Sequence, residues 1–300
     1  MKITLKTPKL ALLIGLIVAV SSHAQSFLTN GLISYYPFNG NANDAVGTNN
    51  GTVHGATLTS NRFGVANSAY LFNGSSSYID LGRPTNLQFQ SNFTLSAWCL
   101  FSGGSLENPR IISYCWGQGY ELLTQGNGSS RAFEFISGNY DFNTTSSYSQ
   151  SVWRAVTLVY TNGTGYFYVN GAFAGSGTNP PPIAFTDNLH IGNNPGATPY
   201  QDYWGGCIDD VRFYNRALSS IEVSQLYKIE SVPIINIQKA VYLTCNYLSI
   251  GSNYQVQVSS DLINWTNQGS VFTATSSYWQ STNYWQVANW NQLFFRLEKQ

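Results

Sequence analysis

Two of the chain's 14 acidic residues stand side by side, Asp209 and Asp210 in G-C-I-D-D-V-R-F-Y-N-R-A at 206–217. Paired carboxyls are the machinery of glycoside hydrolysis, one donating a proton while the other acts as base or nucleophile. The segment alternates like a β-strand, and successive strand residues face opposite sides. Parity therefore denies the pair a common face. It sets Asp209 with Val211 and Phe213, toward the interior or its rim, and Asp210 with Ile208, Arg212 and Tyr214 on the outward face. A carboxylate turned inward must be hydrogen-bonded, paired or bound to a metal. The other acids stand singly, and no G-x-S-x-G, H-E-x-x-H or Gly-rich phosphate loop occurs. Of the three His, His23 lies in the first 24 residues, leaving His54 and His190. Triads and His-based metal catalysis are poorly supplied, and the chain reads as non-catalytic.

Three other constellations could do chemistry. The loop N-G-N-A-N-D-A-V-G-T-N-N-G-T (39–52) sets Asn41, Asn43, Asp44, Asn49 and Asn50 among glycines. Asp and Asn oxygens with nearby carbonyls are hard ligands that suit Ca²⁺. The same residues build Asx-turns, the spacing is not that of an EF-hand, and both readings stay open. Sugars are held by exposed rings and by amide and carboxylate groups. The loop aromatics that could stack are Trp116, Tyr120, Tyr140, Tyr200, Tyr203 and Trp204, whereas Trp98 and Trp153 lie in strand patterns and read as core. The four Cys are Cys99, Cys115, Cys207 and Cys245, in no zinc spacing. Cys99 and Cys115 fall on consecutive strand candidates joined by a Gly- and Pro-containing loop, so a disulfide between them is one reading and buried thiols the other.

These residues must be positioned by the rest of the chain. Lys2, Lys6 and Lys9, the apolar run Leu10–Val20 and the small residues Ser22 and Ala24 read as a secretory signal peptide cleaved after Ala24. Its loss leaves 11 basic residues against 14 acidic ones, a net charge of about −3. Charged residues make up 9% of the chain, against roughly 25% in an average globular domain. No basic patch exists to hold nucleic acid, and nothing after residue 24 is apolar enough to span a bilayer. Most periodic segments alternate: Phe93–Phe101, then R-I-I-S-Y-C-W, G-Y-E-L-L-T and R-A-F-E-F-I-S. In W-R-A-V-T-L-V-Y-T-N-G-T-G-Y-F-Y-V-N-G-A-F-A-G, the steps Asn162-Gly163 and Asn170-Gly171 predict two tight hairpin turns and a three-strand meander. One helix is signalled. Ser219 and Glu222 form a capping box, with Leu218 and Val223 as the hydrophobic staple, and the helix is expected over about 220–227. A linker around Pro233 follows, and 230–300 restarts the alternation as a second, small β module, with Cys245 buried.

Several segments, in order, resemble one family. G-L-I-S-Y-Y-P-F-N-G-N-A-N-D, A-Y-L-F-N-G-S-S-S-Y-I-D-L-G, F-T-L-S-A-W, W-R-A-V-T-L-V-Y with Y-V-N-G, and G-C-I-D-D-V-R-F-Y-N-R-A-L-S-S-I-E-V resemble the successive blocks of LamG-like (laminin-G-type) jelly-roll domains over about 27–227. The tail, with Y-Q-V-Q-V-S-S-D-L-I-N-W-T-N-Q-G, is similar to a small C-terminal β module of secreted bacterial proteins. The resemblance implies an all-β chain: a concanavalin A-like two-sheet jelly-roll sandwich over 25–229, then a small β-sandwich-like module. It implies a structural Ca²⁺ between the N-terminal and closing strands, held by Asp44, Asn49, the Thr52 carbonyl and Asp209. It also implies binding of a glycan or a cell-surface or extracellular protein. A structural or adhesive role is the alternative, and a cryptic glycoside hydrolase the third. Against the hydrolase, the E-x-D-x-x-E run usual in hydrolases of this fold is missing.

Overall fold

The computed structural model describes residues 26–103, 108–114, 119–126, 130–184, 186–196, 202–232, 240–241, 243–281, 285–286 and 294–300. The chain divides into two compact units, one ending at Pro233 and one spanning Ile234–Gln300. The first is a sandwich of two antiparallel eight-stranded sheets, as the resemblance implied. Sheet A runs β14 (Ala172–Thr178), β13 (Thr164–Val169), β12 (Arg154–Thr161), β6 (Phe93–Phe101), β16 (Gly205–Tyr214), β4 (Ala69–Asn73) and β3 (Thr57–Thr59), with β1 (Leu32–Tyr36) also pairing β16. Sheet B runs β10 (Tyr140–Asn143), β9 (Ser130–Ser137), β8 (Tyr120–Gln125), β7 (Arg110–Ser113), β15 (His190–Ile191), β5 (Tyr78–Asp80) and β2 (Thr52–His54), with β11 (Tyr148–Ser149) on β9. A helical turn, α1 (Ser26–Thr29), precedes β1.

The inner faces supply the core. Phe93, Leu95, Ala97 and Cys99 alternate along β6, Phe133 and Phe135 along β9, and all are buried in one cluster with Phe167, Ile208 and Phe213. Full burial of each large apolar side chain stabilises by roughly 1.5–3 kcal/mol relative to exposure, so sheet pairing is set by which face must be hidden. The meander forms as expected. Asn162 and Gly163 (φ 49° and 77°) and Asn170 and Gly171 (φ 51° and 73°) take the left-handed angles of two-residue hairpin turns.

Helix α2 (Ser220–Glu230) has the expected capping box. The Glu222 amide donates to Ser219 Oγ and the Ser219 amide donates to the Glu222 carboxylate. Leu218 and Val223 are both buried, with Leu226, against Val159 and Tyr214 on the outer face of sheet A. The helix runs three residues beyond the expected end. Its last turn is held from outside, because Arg62 donates to the Glu230 carbonyl from Nε (2.9 Å) and Nη2 (2.7 Å). A guanidinium there satisfies an orphan carbonyl and complements the negative end of the helix dipole.

In the second unit, β19 (Asn253–Ser259) pairs with β20 (Thr266–Thr273) and β23 (Phe294–Lys299). Two short pairs accompany them, β17 (Ala240–Val241) with β22 (Trp285–Gln286) and β18 (Thr244–Asn246) with β21 (Tyr278–Gln280). Leu248, Tyr254 and Ala274 form its small core, with Phe272 stacked on Trp279 at 4.4 Å. Cys245 is a half-buried free thiol beside that core, less enclosed than the sequence reading had it.

The Cys99–Cys115 disulfide is corrected. Cys99 is a free thiol in the core. It sits on β6 of sheet A, whereas the strand leading to residue 115, β7, belongs to sheet B. Consecutive in sequence, the two strands are not neighbours in one sheet. Residue 115 itself lies outside the described residues.

Candidate functional site

Strand parity fails at the aspartate pair. Asp209 pairs with Trp98 and Arg212 with Ser96, so two residues of β16 oppose Ala97 alone. This is a β-bulge, and Asp210 takes the left-handed angle (φ 49°) that it requires. The extra residue resets the alternation. Ile208, Val211 and Phe213 all reach the inner core, whereas Asp209 lies beside Trp98 on the face that α2 covers. The expectation that Asp209 shares a face with Val211 and Phe213 is thereby overturned, and so is the separation of the two carboxylates. Both accept from Arg62 Nη1, each at 2.9 Å.

Around them the face is closed by charge and rings. Arg212 pairs with Glu230, and Trp98 Nε1 donates to Glu230 Oε2 at 2.8 Å. The Tyr35 hydroxyl donates to Asp210. The Arg62 guanidinium lies over the Trp98 ring at 4.3 Å and Arg212 over the Tyr35 ring at 3.8 Å. Three carboxylates thus meet two guanidiniums. Burial, then the neighbouring Asp210 charge, pushes Asp209 up to about 8, outweighing the pull of Arg62. The cluster ties β1, the turn before β4, β6, β16 and the end of α2 together. It has the character of a structural lock.

Asp44 belongs to a separate network. Its Oδ1 accepts amides from Tyr35 (3.0 Å), Val46 (3.1 Å) and Gly47 (2.9 Å), and Oδ2 accepts from Asn49 (3.3 Å). Burial would raise its pKa, but the amides of Gly47, Tyr35 and Val46 outweigh that and lower it. Gly47 is needed for the close approach, since a Cβ there would stand 2.6 Å from Asp44 Oδ2. Asn49 donates to Ser34 Oγ at 2.7 Å, its carbonyl takes the Tyr36 hydroxyl at 2.6 Å, and Thr52 lies on β2 opposite Asp80. A carboxylate oxygen facing three N–H donors has little left to offer a cation, and Asp209 is engaged with Arg62. The residues expected to share a Ca²⁺ therefore do not fit one common ion. Among the described residues, no three His, Cys, Asp or Glu side chains converge as metal ligands.

The six aromatics expected to stack on a ligand go to different places. Tyr120 is fully buried in the core, its hydroxyl donating to the Leu87 carbonyl. Trp204 is 0% exposed, edge-on to Phe101. Tyr140 is 58% exposed at the edge strand β10. Trp116 and Tyr200 lie outside the described residues. Tyr203 is half-buried, and its hydroxyl hydrogen-bonds Asn193.

Tyr203 leads to a surface the sequence reading missed. Ile79, Ile112, Leu122, Phe135 and Ile191 turn inward on sheet B, so their strand neighbours line its outer face. At one side, Tyr78 stacks between His54 (4.5 Å) and His190 (4.7 Å). Asp80 follows on the same face, accepting from Asn188 Nδ2 at 3.0 Å. Burial lowers the His190 pKa, and its Nδ1 stands 2.8 Å from Asn193 Oδ1. At the centre, Arg110 pairs with Glu121 (2.7 Å) and Asp202 (2.8 Å), and Ser113 donates to Glu121 at 2.9 Å. Beyond, Glu134 is hydrogen-bonded to the Asp141 side chain, and burial followed by the Asp141 charge pushes its pKa up to about 7. The alternation in Y-E-L-L-T and R-A-F-E-F-I-S carried the signal that Glu121 and Glu134 share a face.

Residues 73–224 match the family model of the concanavalin A-like lectin/glucanases superfamily, laminin G type, and the chain belongs to this family. Solved structures with similar folds include domain 4 of an extracellular family 43 arabinanase from Geobacillus stearothermophilus, in complex with arabinotriose. That match has a TM-score of 0.54 and 20% identity, covering 65% of this chain and 98% of that one. A botulinum neurotoxin type C structure, described with cell entry that depends on two ganglioside molecules, matches with TM-score 0.53 and 16% identity over 77% of this chain and 58% of that one. A Trypanosoma rangeli sialidase mutant matches with TM-score 0.53 and 16% identity over 73% of this chain and 39% of that one. The chain thus spans less than two thirds of the last two. No curated protein matches the sequence.

Proposed function

We propose that the chain is an exported, non-catalytic binding protein that recognises a glycan on the outer face of sheet B. The observation that carries this is the His54–Tyr78–His190 stack flanked by Asp80, Asn188, Asn193 and Tyr203. Tyr78, sandwiched between the two imidazoles, holds the exposed His54 ring so that its free face can meet a sugar, and the amides and carboxylate can hydrogen-bond the sugar hydroxyls. The lectin-like fold and its structural neighbours, one in complex with arabinotriose and one whose cell entry depends on gangliosides, support the same reading. Export rests on the N-terminal segment, and no helix among the described residues is long and apolar enough to cross a membrane.

A glycan array on the full chain, followed by calorimetry with Tyr78→Ala, tests this. A hit whose affinity falls about tenfold or more in the variant, for a loss of stacking and hydrogen-bond contact worth about 1.4 kcal/mol or more, upholds it. An array with no hit, or a hit indifferent to Tyr78→Ala, removes it.

A second reading, glycoside hydrolysis, is favoured by the Glu134–Asp141 pair with its raised pKa. Its geometry falls short. Carboxyls hydrogen-bonded to each other are closer than the roughly 5 Å that a retaining pair requires to flank a glycosidic bond. The expected outcome is no release of reducing ends from any glycan the array identifies.

A further inference from the structure

Between the sheets, at the end of the sandwich where β6, β8, β9, β11 and β12 meet, lies a narrow crevice of about 20 Å³ that opens to solvent. Phe101, Thr124, Arg131, Phe133, Arg154 and Trp204 line it, and Ser149 and Val152 stand exposed among its lining residues. Among the described residues, Thr124 Oγ1, Arg154 Nε and Trp204 Nε1 are buried polar atoms with no hydrogen-bond partner. Thr124 and Trp204 are 3% and 0% exposed. Leaving such groups unsatisfied is costly, and native proteins rarely do so without water, an ion or a ligand to complete them.

The chemistry of the orphans says what completes them. An indole N–H and a guanidinium Nε–H only donate, and a hydroxyl can donate as well. Among the described residues, no Asp or Glu lines the crevice. The Arg131 guanidinium lies over the Phe101 ring at 4.5 Å and that of Arg154 over the Tyr148 ring at 5.7 Å, so two cations stand on aromatic walls. Arg154 is also near enough to oppose, in part, the rise that burial imposes on the Cys99 thiol. A water can accept from at most two of these donors. An anion with several lone pairs can accept from more of them, and a planar carboxylate matches a guanidinium geometrically. We propose that this crevice is a binding site for a carboxylate group, carried by an acidic sugar or by a free carboxylic acid. It is distinct from the ring stack, because Arg131 shares the inner face of β9 with Phe133 and Phe135, whereas the stack lies on the outer face.

The test uses the full chain in calorimetry and thermal melts with sodium acetate, sodium glucuronate, glucose and sodium chloride, at matched ionic strength. A carboxylate is expected to raise Tm by roughly 5 °C when it is at about 100 times its Kd, while glucose and chloride do not. Thr124→Val, which keeps the branched shape, and Arg154→Met, which keeps the stem, should each weaken binding about tenfold or more. Tyr78→Ala should leave it unchanged, so failure here and failure of the glycan reading are told apart. A response to glucuronate alone assigns the site to an acidic sugar, and a response to acetate as well assigns it to small carboxylates; either upholds the proposal. No response to any carboxylate, an equal response to chloride, or wild-type affinity in Thr124→Val overturns it. Should Arg154→Met fail to fold, Thr124→Val decides.

Discussion

Replacing Asp209 with Asn should flatten the pH dependence of stability above neutrality. Asp209 is 1% exposed and its pKa is pushed up to about 8 in the folded chain, against about 3.9 unfolded. The folded state therefore keeps a proton that the unfolded state has released. Stability is fully present below about pH 4, falls as pH rises through the window, and levels off beyond the folded pKa. The slope is about 1.4 kcal/mol per pH unit for one proton. From pH 5 to pH 8 the ceiling for this group is thus about 4 kcal/mol, or roughly 10 °C in Tm for a domain of this size. Glu134, raised to about 7, contributes in the same direction over the lower part of the range. Thermal or urea melts at half-unit steps from pH 5 to pH 8.5 would show the wild type still losing stability between pH 7 and 8, and Asp209→Asn flat there. The absolute level is not the readout, because an amide nitrogen at the Oδ2 position would set a donor against the Arg62 donor. Parallel curves for the two proteins would refute the reasoning and return the proton to another group.

Arg62→Met should destabilise the first unit by about 3–5 kcal/mol, the cost of leaving a buried carboxylate pair with its partner removed, and should raise amide exchange in the last turn of α2. Unchanged exchange at 227–231 would show that Arg62 does not hold that turn. Asp44→Ala should cost about 2–4 kcal/mol, since four backbone amides lose their acceptor, while chelator should leave the wild-type Tm where it is. A fall in Tm with chelator, absent in Asp44→Ala, would bring calcium back to this loop.

What could be read from the sequence was what is local. The Asn-Gly turns, the capping box and the alternation along β6 each specify their structure within a few residues, and each forms. The bulge in β16 was hidden because Asp tolerates left-handed angles almost as Asn does. The one local trace was the spacing of Ile208 and Val211, three apart yet both core-bound. The partner of Asp209 was out of reach for another reason. Arg62 lies 147 residues away, and nothing in its own loop marks it as a counter-ion. Glu121 and Glu134 looked like single acids until strand register set their strands side by side. Trp204 looked like a loop ring; its burial against Phe101 depends on how β16 enters the sheet.

That entry has a temporal side. The last strand of the first unit, β16, lies in the middle of sheet A, bonded to β6 and β4, with β1 also on it. Pairings between residues as far apart as Tyr36 and Val211 form late, because closing so long a loop is slow. Until residues 205–214 arrive, β6 and β4 present bare edges, which invite pairing with other chains. A chain still on the ribosome therefore cannot complete the sandwich. The unit stays open, and dependent on whatever shields it, until its closing strand is delivered.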